Sequence, residues 1–215
     1  MSSLTMPSLA DIDDISLTGK ILGALLYYSP DQPQVTPILE LLDNESWADE
    51  WPCGSIAEIQ QAAALIRAGL MPENRLLLSE EFQRLFIGPD ALPAPPWGSV
   101  YLDHESVVFG DSTLELRQWQ SLLGIEIQHQ QSQREPEDHI GLLLMLAAWL
   151  AENQSEQIVT LLSDHLLTWS GRFLALLEEN ARHPFYRGIA QLTRITLNDW
   201  QQRLNPIVVR KALFF

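Results

Sequence analysis

Basic residues are scarce in this chain: 13 Lys and Arg stand against 28 Asp and Glu, a formal net charge of −15. So acidic a surface repels phosphate backbones and anionic headgroups, which excludes a nucleic-acid partner and suits a basic peptide. Cysteine is scarcer still. The single Cys53 cannot close an internal disulfide, and it is read as structural or incidental. Long apolar runs are also missing. The longest, Ile140 to Ala151, holds 12 residues, short of the about 20 that span a bilayer. Met1 to Pro7 lacks the basic and apolar regions of a secretory leader. A cytoplasmic protein with no stable membrane insertion is expected.

Catalytic signatures are wanting as well. There is no G-x-x-x-x-G-K-[ST] phosphate loop, no G-x-G-x-x-G after a strand, no H-E-x-x-H and no G-x-S-x-G. One Glu-x-x-His, Glu126 to His129, stands where a di-iron bundle needs two. Asp-His occurs at Asp138-His139 and Asp164-His165, but neighbours on a helix point about 100° apart and form no direct dyad. Hence no catalytic residue, metal or cofactor is expected.

What the chain does have is apolar material for a core, 46% of residues, arranged mostly at helical spacing. Leu17, Ile21, Leu22, Leu25 and Leu26 mark a first helix that ends at Tyr27 to Pro30. Thr36-Pro37 reads as an N-cap with proline at the first helical position. Ser55 to Glu58 and Ser112 to Glu115 read as capping boxes, with Gly69 and Gly124 as stops. Ser79 to Ile87, Ile158 to Leu166, Phe173 to Leu177 and the stretch opened by His183-Pro184 supply further helices. Strand-like alternation is confined to Ile125 to His129 and Ser99 to Val108, neither with a partner strand. The fold class predicted is all-α, with about nine helices. Residues 1–14 read as a loose arm before a single helical domain over 15–215. Gln128 to Arg134, rich in Gln and Ser, reads as a hinge between an N-terminal group (15–127) and a C-terminal group (135–215).

Two segments carry the site expectations. Gly88 to Gly98 holds four prolines in eleven residues and opens a connection reaching Gly110, too long to be an idle turn. Within it Trp97 follows Pro95-Pro96, placed either to anchor a peptide or to plug the protein's own core. Glu135-Pro136-Glu137-Asp138-His139 precedes the apolar run and reads as the first turn of its helix, with Pro136 at the first position and the acids at the positive end of the dipole. It is either a well-capped start or a polar site at the mouth of a helical core. Glu135 and His139, four apart, would meet on one face and favour the imidazolium. Asp138 would lead the face of Leu142, Met145 and Trp149. Its partner would be a backbone N–H of its own turn, an arginine from elsewhere, or a cationic ligand group.

Glu135 to His139 resembles the signature of the TorD/DmsD family of redox-enzyme maturation chaperones. Pro95 to Thr113 resembles the DmsD branch, as do Leu22 to Pro30, Gln83 to Pro89 and His183 to Arg187. The resemblance runs from about residue 17 to the end. It implies two helical groups joined by a hinge, and a role without catalysis. Such chaperones bind the twin-arginine signal peptide of a molybdopterin-containing reductase and hold the apoenzyme until its cofactor is inserted and it is exported. The positions matching the family's peptide surface are Tyr27, Leu85, Pro96, Trp97, Pro136, Asp138 and His139, and Glu135 adds a second carboxylate. Implied partners extend to the Tat translocase and molybdenum-cofactor biosynthesis proteins. Guanine nucleotide, reported for some members, finds no phosphate loop here. Asp90 stands where DmsD-like members carry an aromatic, which leaves the client open. The rival classes are an enzyme using Asp138 and His139 as an acid–base pair and an accessory subunit of the reductase.

Overall fold

The structure, a computed structural model, describes residues 7–106, 108–125 and 135–215. Among these there are twelve α-helices and no strand. They are α1 (Leu9–Tyr27), α2 (Thr36–Asp43), α3 (Trp47–Glu50), α4 (Ile56–Leu70), α5 (Pro72–Arg75), α6 (Leu78–Phe82), α7 (Gly98–Leu102), α8 (Asp111–Leu122), α9 (Ile140–Asn153), α10 (Ile158–Thr160), α11 (Ser170–Asn180) and α12 (Pro184–Leu204). Two wide π turns, Gln83–Ile87 after α6 and Leu161–Leu166 after α10, extend their helices. The all-α expectation holds. The three helices beyond the nine foreseen, α3, α5 and α7, are pieces of four or five residues, too short to show a period.

The closest pairings join the two halves of the sequence. α1 crosses α9 where Gly19 and Gly23 meet Leu144, Ala148 and Gly141. A Cβ on Gly23 would stand 2.8 Å from the Gly141 carbonyl oxygen. α4 crosses α12 likewise. A Cβ on Gly69 would stand 2.5 Å from Phe185 Cβ, and one on Gly188 2.8 Å from the Ala62 carbonyl oxygen. Absent side chains thus let backbones approach and seal one apolar core, in which Trp169, Trp200, Tyr101, Tyr186, Phe173 and Phe185 are fully buried.

Several local expectations change. Residues 9–14 are not a loose arm: Ser8 and Asp11 form a capping box, and α1 starts at Leu9. Arg203 then clamps this end, pairing with Asp11 at 3.1 Å, Asp14 at 2.7 Å and Asp199 at 2.5 Å, while its Nη2 donates to Cys53 Sγ at 3.3 Å. The cap of α2 is Val35 rather than Thr36. Gly69 lies inside α4 as a packing residue, not a stop. The Ser55–Glu58 capping box forms, but Ser112–Glu115 does not. There Ser112 donates its N–H and hydroxyl to Asp103, and Gly110 caps α8. The strand-like Ser99 to Val108 contains α7 instead. Glu126 to His129 and the hinge at 128–134 lie outside the described residues. No described helix is long and apolar enough to cross a membrane, and no described cluster of His, Cys, Asp and Glu could hold a metal.

Candidate functional site

The proline-rich loop and the acidic segment before α9 meet as an antiparallel bridge pairing Trp97 with His139. Pro96 has no N–H, but its carbonyl accepts from the Ile140 N–H at 2.8 Å; the Gly98 N–H donates to the Asp138 carbonyl at 3.1 Å. These bonds hold His139 extended, at φ −63° and ψ 130°. The helix therefore starts at Ile140, with His139 as its N-cap, and Glu135 to Asp138 precede the first turn rather than forming it. The local signal of proline and acids loses to a tertiary contact that claims the backbone groups.

Side chains alternate across a bridge, which sorts the site into two faces. On one face stand Trp97 and His139, ring centroids 6.2 Å apart. Tyr27 meets His139 edge-on at 5.2 Å and Tyr28 at 4.9 Å. Gly141 makes this possible, since a Cβ there would lie 2.7 Å from Tyr27 Cβ. The Trp97 indole N–H donates to Glu135 Oε1 at 2.6 Å. Trp97, Tyr27 and Glu135 are half-buried, so this aromatic and acidic rim reaches solvent. From it Leu142 and Met145, half-buried, and Trp149, 40% exposed, continue along α9 as an apolar stripe.

On the other face lies Asp138, only 4% exposed. Its Oδ2 accepts from the Ser99 N–H at 2.6 Å. Of the partners foreseen, a backbone N–H is correct, but it comes from the start of α7 rather than from Asp138's own turn. Asp138 does not lead the Leu142, Met145 and Trp149 face; it lines a small cavity with Gly98, Asp164, His165 and Trp169. Glu137 is buried and receives Arg117 Nε at 2.7 Å.

The electrostatics follow from burial. Desolvation pushes the Asp138 carboxyl up, against the Ser99 N–H that favours its charge. It pushes the Tyr27 phenol up as well, helped by the Glu135 charge. His139 is driven down to about 3, the reverse of the imidazolium that pairing with Glu135 would favour. A neutral ring fits its contacts, because Nδ1 accepts from the Gly141 N–H at 3.1 Å and must carry no proton. Asp138 and His139 leave the chain on opposite sides, so they do not assemble as an acid–base pair.

The structure thus brings Tyr27, Trp97, Glu135 and His139 together. Pro96 and Pro136 are buried and shape the frame. Leu85 is wholly buried in the core and presents nothing at the surface. Ser99, Tyr28, Asp164, His165 and Trp169 were not foreseen; they reach the site only through contacts distant in sequence, which leave no local pattern.

Comparison with known proteins places the chain. The family model described as nitrate reductase delta subunit matches residues 54–175. The Tat proofreading chaperone DmsD of Salmonella typhimurium is 48% identical over 203 residues, covering 94% of this chain and 96% of the relative. The chaperone protein YcdY of Escherichia coli is 32% identical over 187 residues, covering 85% and 91%. A crystal structure described as a redox enzyme maturation protein from Archaeoglobus fulgidus superposes with a TM-score of 0.53 at 20% identity, covering 83% of this chain and 93% of that one, a likeness of fold. The chain belongs to the TorD/DmsD family of redox-enzyme maturation chaperones.

Proposed function

We propose that this chain is a proofreading chaperone that binds the twin-arginine signal peptide of a molybdopterin-containing reductase and holds the apoenzyme until cofactor insertion. The observation that carries the reading is the half-exposed rim of Tyr27, Trp97 and Glu135 around His139, opening onto the stripe of Leu142, Met145 and Trp149. A twin-arginine signal presents adjacent cations and then an apolar segment. Carboxylate beside aromatic and aliphatic surface is its complement, since arginine's planar fork suits both carboxylates and aromatic faces. The net charge of −15 draws such a peptide in from a distance. The role belongs to the cytoplasm, before export, and hands the client on to the Tat translocase and to molybdenum-cofactor biosynthesis proteins. It needs no cofactor of the chaperone's own.

The test is isothermal titration of a synthetic peptide with adjacent arginines followed by an apolar run. Binding to the wild-type chain is expected, with a loss of at least about 2 kcal/mol, near thirtyfold, for Trp97→Ala as the central aromatic anchor. No binding of this peptide, or equal binding of a peptide with the arginines replaced by glutamine, would overturn the reading.

A further inference from the structure

The apolar stripe of α9 has a second wall. α1 runs antiparallel to α9, with Tyr27 beside Gly141, Gly23 beside Met145 and Ser16 beside Glu152. Leu142, Met145, Trp149 and Glu152 follow one another at steps of three, four and three, so they form a single ridge on one face of α9. Gly23 has no side chain to fill the seam, and Met145 lies over it: a Cβ on Gly23 would stand 2.6 Å from Met145 Cγ. The result is a shallow groove between two helices, half-buried at Leu142 and Met145 and open at Trp149. It starts at the rim of Tyr27, Trp97 and His139. It ends where Lys20 pairs with Glu152, which also accepts from the Ser16 hydroxyl at 2.6 Å.

Such a groove constrains what lies in it. The interior of an α-helix spends its N–H and C=O groups on itself, so neither wall offers backbone partners to an extended peptide. An extended segment laid here would bury some of its own N–H and C=O groups unpaired, which is costly. A helix satisfies them internally, and a helix seated against two others is ordinary packing of ridges into grooves. From His139 to Glu152 the groove follows α9 for thirteen positions. At 1.5 Å per residue that is about 20 Å, which a helix fills with about thirteen residues. An extended chain crosses the same distance with about six.

We infer that the apolar segment of the client peptide lies in the α1–α9 groove as an α-helix, parallel to α9, reaching from the aromatic rim to the Lys20–Glu152 pair, with Met145 and Trp149 as its main contacts. The inference rests on the signal-peptide reading above and adds to it the conformation, direction and length of the bound segment. Direction follows from order: the arginines precede the apolar run, and the rim lies at the start of α9. Met145, unbranched and polarisable, adapts to apolar side chains of differing shape. Trp149 is the large exposed anchor near the far end. The Lys20–Glu152 pair sets the limit, since an apolar residue carried past it lies against charge and strips water from it.

The experiment is fluorescence polarisation on the full chain with labelled peptides that carry adjacent arginines before an apolar run. Cutting the run from about thirteen residues to about six should weaken binding about tenfold, whereas a peptide bound extended would lose nothing. A proline at the centre of the long run should weaken it about a hundredfold. Trp149→Ser, at a position exposed enough to leave the fold intact, should weaken the long peptide about tenfold and the short one hardly at all. The carbon chemical shifts of an isotope-labelled long peptide should turn helical in the complex. Extended shifts, or equal affinity of the long and short runs with the dependence on arginine intact, would overturn the inference and leave the signal-peptide reading standing. Binding of no peptide would overturn both.

Discussion

His139 makes the chaperone acid-sensitive by an amount that can be worked out. The ring is buried, its Nδ1 accepts from the Gly141 N–H, and its pKa falls from 6.5 to about 3. The folded protein therefore binds this proton less readily than the unfolded chain. The stability tied to a neutral ring is complete above the unfolded value of 6.5 and is lost progressively as pH falls toward about 3. Between pH 7 and pH 5 the loss comes to about 2 kcal/mol, at about 1.36 kcal/mol per unit of separation. Protonation also breaks the cap, because an N–H cannot accept from Gly141. The comparison is urea unfolding of wild type and His139→Asn at both pH values. Asparagine caps a helix well and does not titrate. His165, whose pKa burial also lowers, is common to both proteins and cancels. The variant should be less stable at pH 7, having lost its ring contacts with Tyr27 and Trp97, yet its stability should fall about 2 kcal/mol less on acidification. Parallel losses in the two proteins would refute the reasoning and return His139 to the protonated state.

The remaining predictions concern packing and reactivity. Gly141→Ala should destabilise by about 1–3 kcal/mol, because the new methyl meets Tyr27 and the Gly23 carbonyl oxygen and α1 must move off α9. A thermal melt should drop by roughly 2–4 °C per kcal/mol, and an unchanged midpoint would contradict the close crossing. Arg203→Met should cost about 1–3 kcal/mol, between a surface pair and a buried one, since it leaves Asp11, Asp14 and Asp199 facing one another. Amide exchange at the start of α1 should rise in that variant while the α4 and α12 crossing stays protected. The Cys53 thiol, pushed up to about 12 chiefly by burial, should resist a disulfide reagent at pH 8 and react rapidly only in denaturant. Fast labelling of the native protein would show the site is open.

Apolar periodicity at 3.6 residues was enough to call the fold class and to mark most of the longer helices. Local chemistry set several ends: the Ser55 and Glu58 capping box, Pro184 opening α12, and Gly124 at φ 70° after α8. Each of these depends on residues within four positions, so the sequence holds the whole interaction. The same locality misled at Glu135 to His139, where proline and acids spell a helix start. The Pro96 carbonyl and the Gly98 N–H, some forty positions away, take the backbone groups that a first turn would have used. They move the start of α9 to Ile140. Short-range pattern could nominate Trp97, Glu135, Asp138 and His139, and the resemblance Tyr27, but neither could sort them. A bridge between distant segments does the sorting, because alternation across it sends Trp97 to a half-exposed rim and Asp138 into a small cavity on the other face. Local pattern was enough for the helices and for a set of candidate residues. Which way those residues face was decided only by long-range hydrogen bonds and by glycines whose missing side chains let α1 and α9 touch.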